Sequence, residues 1–171
     1  MKIKLSELNR YSPSEFVAVC GPLFEHSPWV AERAVSRRPF TDRTQLHHAL
    51  CATVDRASPE EQLTLVRAHP DLVGRAARTG GLTTASTTEQ SAAGLTDLAP
   101  DDMRQFDDFN AAYRSKFGFP FVICARENKK NAILAAFPTR LAHTQQTELR
   151  TALDEIAKIA WHRLLDTVEE G

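Results

Sequence analysis

Apolar residues recur at helical spacing along most of this chain. The clearest stripe runs from about residue 144 to 168 and consists of Leu149, Leu153, Ile156, Ile159 and Leu164. An earlier segment, opened by Pro100 and closed by Gly118, carries a similar stripe of aromatic residues. Strand-type alternation is nearly absent, so the pattern predicts an all-α fold.

Helix-start signals recur through the first half of the chain. Ser12, Ser27 and Ser58 each precede a proline, an arrangement that places a capping hydroxyl before a proline at the first helical position. Ser12 and Ser58 are also followed three residues later by glutamate, which is the spacing of a capping box. Together with the apolar stripes, these signals predict about seven or eight helices in a single domain over residues 1–171.

One segment breaks the helical pattern. Residues 119–124 are apolar and partly β-branched, and they lie between Gly118 and the polar residues 126–130. We predict a short extended stretch near 119–125. The sequence offers no second strand to pair with it, so its main-chain groups need partners among side chains, water or a ligand.

Composition excludes several classes of protein. Of 171 residues, 42% are hydrophobic and 25% are charged, with a net charge of −1, so nothing indicates binding to nucleic acid or to an anionic membrane. Three singly placed cysteines argue against a disulfide framework. No stretch resembles a signal peptide or a membrane span, and we expect a cytoplasmic protein.

His69 is the first candidate for chemistry. It follows a predicted helix over residues 59–68, and Pro70 biases it out of the helical conformation. The dipole at a helix C-terminus favours the imidazolium form, which suits proton transfer or the binding of an anionic group. The alternative is a capping histidine bound to the last helix carbonyls.

Glu89 has two interpretations. It lies three residues after Ser86, which is capping-box spacing at the start of a predicted helix over residues 87–95. If that helix start faces His69, however, Ser86, Glu89 and Gln90 form a compact set of donors and acceptors that suits a flat, amide-rich ligand.

The remaining candidates are weaker. No pair among the six histidines has the spacing of a metal site, so no metal is predicted. Cys124 is either a nucleophile or, as is more common in an apolar run, a small buried hydrophobe. Arg163 lies near the apolar stripe of the last helix, where it either extends along the core edge or points into a pocket.

Four blocks of sequence, taken together, point to one family. They are AHPDL at 68–72, STTEQ with AAGL at 86–95, FNAAYRSKFGFPFVICAR at 109–126, and EIAKIAWHRL at 155–164. Their combination and order resemble the 2-oxo-4-hydroxy-4-carboxy-5-ureidoimidazoline (OHCU) decarboxylase family over nearly the whole chain. Enzymes of this family catalyse the last step in the conversion of urate to (S)-allantoin.

The resemblance carries expectations about partners and site residues. It implies a helical homodimer that uses no cofactor and acts on a small molecule, OHCU, with His69 and Glu89 as catalytic residues. It further implies substrate contacts by Pro70, Ser86, Gln90, Phe121, Val122, Ile123, Cys124, Ala125 and Arg163.

Two other functions are compatible with the residues alone. A non-catalytic helical interaction module would use residues 117–121 as a partner groove, and it predicts an exposed apolar patch. A hydrolase using Cys124 as its nucleophile predicts rapid alkylation of that thiol with loss of activity.

Overall fold

Helices form most of the protein, as the apolar pattern predicts. The computed structural model describes all residues, 1–171. The α-helices are α1 Leu5–Leu8, α2 Pro13–Cys20, α3 Trp29–Ala34, α4 Arg43–Asp55, α5 Pro59–Arg67, α6 Arg75–Thr79, α7 Thr84–Ala92, α8 Pro100–Phe117, α9 Lys130–Leu141 and α10 Gln145–Thr167. Since α1 and α6 have only four and five residues, eight longer helices remain, and the all-α prediction is confirmed.

Short elements complete the secondary structure. Three 3₁₀ turns cover Gly21–Leu23, Val35–Arg37 and Ala125–Glu127, and two strands cover β1 Ile3–Lys4 and β2 Val168–Glu169. None of the helices combines the length and the apolar character needed to cross a membrane.

The chain divides into two compact units. The first contains residues 1–68 and 157–171, and the second contains residues 69–156. The single domain expected over residues 1–171 stays a prediction.

The first unit joins the two ends of the chain. β1 pairs with β2 in parallel, with Ile3 opposite Val168 and Lys4 opposite Glu169. Sequence analysis missed this pair because strands of two residues are too short to show alternation. The α3 and α4 helices pack against each other in the same unit, and Leu46 and Leu50 of α4 are fully buried.

The second unit has an aromatic core. Phe121 stacks on Phe137 of α9 with ring centroids 3.8 Å apart, and Tyr113 of α8 meets the rings of Phe119 and Phe121 edge-on. Phe117, Phe119 and Phe121 are at most 2% exposed. The exposed apolar groove that an interaction module would need at residues 117–121 is therefore absent.

Two of the three predicted serine caps are confirmed. Ser12 and Ser58 each form a complete capping box with the glutamate three residues later. The prediction for Ser27 is wrong, because Pro28 occupies the cap position of α3 and the Ser27 hydroxyl donates instead to the carbonyl of Glu25 at 2.9 Å.

Candidate functional site

The α7 helix begins earlier than the sequence indicates. Thr83 is its N-cap, and the Thr83 hydroxyl accepts a hydrogen bond from the N–H of Ser86 at 3.2 Å. Glu89 consequently lies in the second turn, too far along for a capping box, so the capping interpretation of Glu89 is wrong. Ser86, Glu89 and Gln90 are all buried.

His69 lies where the sequence predicts. The α5 helix ends at Arg67, Ala68 is its C-cap, and His69 follows directly. The side chain is buried and Pro70 beside it is half-buried. A buried imidazole is suited to exchanging protons with a bound ligand rather than with bulk solvent.

Two side-chain amides connect the loop after His69 to neighbouring helices. The amide oxygen of Gln90 accepts a hydrogen bond from the N–H of Val73 at 3.1 Å. The amide nitrogen of Asn110 donates to the carbonyl of Leu72 at 2.8 Å. Gln90 is thus brought to the His69 loop, where its amide nitrogen also donates to the carbonyl of Asp71 at 3.5 Å. Its predicted contact with substrate is left to the second N–H of that nitrogen.

The unpaired segment near residue 122 finds its partners in side chains. Arg140 donates to the carbonyl of Val122, and the N–H of Cys124 donates to a carboxylate oxygen of Glu155 at 3.3 Å. The carbonyl of Cys124 accepts from the amide of Asn128 at 2.9 Å. Side chains from α9, from α10 and from the loop before α9 therefore bind this backbone, as a neighbouring strand would in a sheet.

Four main-chain N–H groups in this segment donate to no acceptor within the protein. Residues 120–124 belong to no helix or strand, and Ala125 begins a 3₁₀ turn, so the extended stretch ends one residue earlier than predicted. The four N–H groups belong to Phe121, Val122, Ile123 and Ala125, all of which are at most 8% exposed. Buried N–H groups normally have an acceptor, so donors of this segment, Ile123 and Ala125 among them, are suited to holding a ligand carbonyl.

A buried ionic cluster supports the segment from behind. Arg140 Nε lies 2.6 Å from Glu148 Oε1, which also accepts a hydrogen bond from the hydroxyl of Tyr113 at 2.7 Å. Burial, together with the hydrogen bond to Glu148, raises the pKa of Tyr113. The half-buried ring of His143 lies 3.0 Å from the other carboxylate oxygen of Glu148.

Sequence analysis missed these supporting residues. Glu148 and Glu155 are seven residues apart on α10, so they share one helix face with the apolar stripe, and both are buried. Acidic residues that interrupt an apolar stripe at this spacing are the signal that could have found them.

The second unit brings three of the four sequence blocks together. Gln90 of α7 binds the loop after His69, and α7 also packs against the 3₁₀ turn Ala125–Glu127. The N–H of Lys130 donates to the carbonyl of Ala93, just beyond the end of α7, at 3.2 Å. The α7 helix therefore lies in contact with both predicted substrate-binding segments.

Cys124 does not have the properties of a nucleophile. Its side chain is buried, and burial raises the pKa of its thiol to about 11. The thiol is therefore protonated at neutral pH, whereas a nucleophilic cysteine needs a lowered pKa.

Arg163 belongs to the first unit. Its guanidinium lies 2.9 Å from the carboxylate of Glu25, and both side chains are at most 7% exposed. It also donates to the carbonyl of Pro22 at 3.4 Å. Its contact with substrate stays a prediction.

Comparisons with known proteins identify the family of this chain. The sequence model of the family described as OHCU decarboxylase matches residues 9–165. A relative from Haloferax volcanii, named 2-oxo-4-hydroxy-4-carboxy-5-ureidoimidazoline decarboxylase, is 44% identical over 165 residues, which cover 96% of each chain. A relative from Bacillus sp. strain TB-90, named uric acid degradation bifunctional protein, is 40% identical over 99% of this chain and 33% of its own.

One solved structure supports the same assignment. It is described as the crystal structure of (S)-allantoin synthase, and it matches with a TM-score of 0.79 and 30% sequence identity. The match covers 98% of this chain and 54% of that one, so this chain spans about half the length of that protein. The family match over residues 9–165 and the 44% identity to a near full-length relative show that this chain belongs to the OHCU decarboxylase family.

Proposed function

We propose that this protein decarboxylates OHCU to (S)-allantoin, the third step of urate degradation, without a cofactor. The observation that carries the proposal is the position of α7, whose Gln90 binds the His69 loop while the helix packs on the Ala125–Glu127 turn. Gln90, and Ala125 in that turn, are among the residues that the family resemblance assigns to substrate binding, and His69 is among those that it assigns to catalysis.

The reaction makes a limited demand on the protein. Cleavage of the bond to the carboxylate releases CO2 and leaves an electron pair, which the adjacent C=N bond of the substrate ring can take up. An enol-like intermediate results, and it must gain a proton on one face. The protein therefore has to fix the ring, direct the carboxylate out of its plane and control one proton.

His69 is the proposed proton carrier. Two positions on the substrate suit the exchange: the hydroxyl group, which loses its proton as the ring carbonyl forms, and the neighbouring ureido-bearing carbon of the enol, which gains one. The burial of His69 supports this role because the proton then passes to the substrate rather than to bulk water. Delivery of the proton to one face of the intermediate would account for the formation of a single enantiomer of allantoin.

Glu89 and its neighbours would orient the substrate. A carboxylate accepts hydrogen bonds from ureido and ring N–H groups, and Glu89 is buried on α7 without serving as its cap. The nearby Ser86 hydroxyl and the amide nitrogen of Gln90 offer further polar contacts, and Pro70 would line the site beside His69.

The extended segment would stabilise developing charge. Phe121 to Ala125 present main-chain groups, and the N–H groups of Ile123 and Ala125 have no acceptor within the protein. Two donors directed at a ring carbonyl would stabilise negative charge as it grows in the transition state.

Circular dichroism of the product tests the proposal. The protein is added to freshly oxidised and hydrolysed urate, and the optical activity of allantoin is followed over time. We expect rapid appearance of the (S) signal. Slow formation of optically inactive allantoin at the spontaneous rate would contradict the proposed function.

We also propose that the protein acts as a homodimer in the cytoplasm. The dimer rests on family membership, and the location is supported by three cysteines that form no disulfide. Light scattering after size-exclusion chromatography measures the mass, and a monomer at micromolar concentration would contradict the dimer.

A further inference from the structure

The loop that follows His69 has a strained backbone. Val73 has a φ of 55°, in the left-handed region that β-branched residues rarely adopt. The next residue is Gly74, where an added Cβ would lie 2.7 Å from the Cβ of Asp71. The chain thus turns tightly within a few residues of the proposed catalytic histidine, and other contacts must hold this turn.

Val73, at the centre of this turn, faces a cavity on one side. Val73 borders a cavity of about 250 Å³, whose walls also include Ala77, Leu82, Leu95 and Met103. Atoms that face a cavity lack dispersion contacts on that side. The conformation of Val73 consequently depends on its main-chain hydrogen bonds.

Asn110 and Gln90 bind opposite ends of one peptide group. Asn110 donates to the carbonyl of Leu72, and Gln90 accepts from the N–H of Val73. These two groups belong to the same planar peptide unit, which can relieve the left-handed φ of Val73 only by rotating. Since rotation would break both hydrogen bonds, the two amides together hold the peptide in its strained orientation.

Only the nitrogen of the Asn110 amide forms a hydrogen bond. The residue is 8% exposed, and its side-chain oxygen is buried without a hydrogen-bond partner. A buried polar atom without a partner destabilises the fold, so the donor bond to Leu72 is the contact that accounts for an asparagine here.

We propose that Asn110 is a positioning residue that acts through His69. Only Pro70 and Asp71 separate His69 from Leu72, and the ring of Pro70 fixes one of the few torsions between them. The orientation of the Leu72–Val73 peptide therefore sets the direction in which the chain leaves His69. This inference rests on the proposed function, because it gives His69 the role of proton carrier.

Two substitutions remove the donor in different ways. Asn110→Leu keeps nearly the shape of the side chain but has no donor, whereas Asn110→Ala removes the side chain. We expect kcat to fall about 10- to 100-fold in both variants, the loss typical of a catalytic group displaced by about 1 Å, with KM changed less than threefold. Hydrogen exchange at residues 69–74 should become faster in both.

Ile133→Val is the matched control. This fully buried residue lies on α9, outside the loop and its two amides, and the substitution lowers stability without altering the donor. We expect a lower unfolding temperature, an unchanged kcat and unchanged exchange at residues 69–74.

The outcomes separate this inference from the proposed function. If the unsubstituted protein forms (S)-allantoin rapidly while both Asn110 variants keep kcat within twofold, the positioning role is overturned and the proposed function stands. If the unsubstituted protein forms no allantoin, the proposed function fails. Hydrogen exchange then tests only whether Asn110 orders the loop. Exchange at residues 69–74 that is the same in the Asn110 variants as in the unsubstituted protein would overturn that part of the inference.

Discussion

The hydroxyl of Thr83 accepts a hydrogen bond from the N–H of Ser86 at 3.2 Å, and this contact sets the start of α7. Because Thr83 caps the helix, the carboxylate of Glu89 is not needed there. The proposed catalytic role of Glu89 can therefore be tested separately from the capping of α7.

Glu89→Gln distinguishes a catalytic role of this side chain from a structural one. We expect decarboxylation to be lost, because an amide offers one acceptor oxygen where a carboxylate offers two. The free energy of unfolding should change by less than about 1 kcal/mol, since the cap at Thr83 remains. Allantoin circular dichroism and urea denaturation measure the two quantities. Normal turnover with a large loss of stability would instead favour a structural role.

Thr83→Ala tests the position of the cap. We expect this change to lower the free energy of unfolding by about 1 kcal/mol, the usual effect of losing an N-cap side chain. Ser86→Ala is the comparison, since its hydroxyl does not cap the helix. If urea denaturation showed a larger loss of stability for Ser86→Ala than for Thr83→Ala, Ser86 would be favoured as the cap.

His69→Asn removes the proposed proton carrier and keeps a polar side chain. We expect allantoin to form only at the spontaneous rate and without optical activity, while the far-ultraviolet spectrum and unfolding temperature stay close to those of the unsubstituted protein. Near-normal turnover by His69→Asn would exclude His69 from the mechanism.

Alkylation of Cys124 tests the cysteine hydrolase alternative. With a pKa of about 11, about one thiol in a thousand is ionised at pH 8, and the rate of alkylation should rise about tenfold per pH unit until pH approaches the pKa. We expect iodoacetamide at pH 8 to label the half-buried Cys51 well before Cys124, as followed by mass spectrometry, and the decarboxylation rate to persist meanwhile. Fast labelling of Cys124 with parallel loss of activity would support the hydrolase.

Arg140→Met tests the cluster behind the extended segment. Removing the guanidinium leaves the carboxylate of Glu148 fully buried, with only the hydroxyl of Tyr113 and one half-buried histidine as partners. We expect a loss of about 3–5 kcal/mol in unfolding free energy. Combining it with Glu148→Gln should restore part of that loss because the buried charge is then absent. Urea denaturation of both variants measures the difference, and equal stability of the two would contradict the predicted charge burial.

Local signals in the sequence predicted much of the helical structure. The caps at Ser12 and Ser58 depend on residues within one helical turn, so their pattern is sufficient. The same reasoning failed for Ser27 because the proline after it became the cap. It also indicated Ser86 as the cap of α7, whereas Thr83 has that position.

Contacts between distant residues could not be predicted in the same way. Arg140 lies 18 residues from Val122, and Glu155 lies 31 residues from Cys124, so no local pattern links them. Ile3 and Val168, which pair in the two-stranded sheet, are likewise far apart in the sequence. The candidate residues came from local motifs and the family resemblance, whereas the side chains that hold them depend on how the helices pack.

The bound backbone of residues 122–124 has a thermodynamic consequence for ligand binding. Fixing a flexible residue costs about 1–2 kcal/mol in conformational entropy, and a mobile loop would incur that cost each time a ligand bound. In this protein, Arg140, Glu155 and Asn128 order the segment when the chain folds. A ligand that meets the Ile123 and Ala125 donors therefore encounters a rigid surface, and its affinity is not reduced by a loss of backbone entropy.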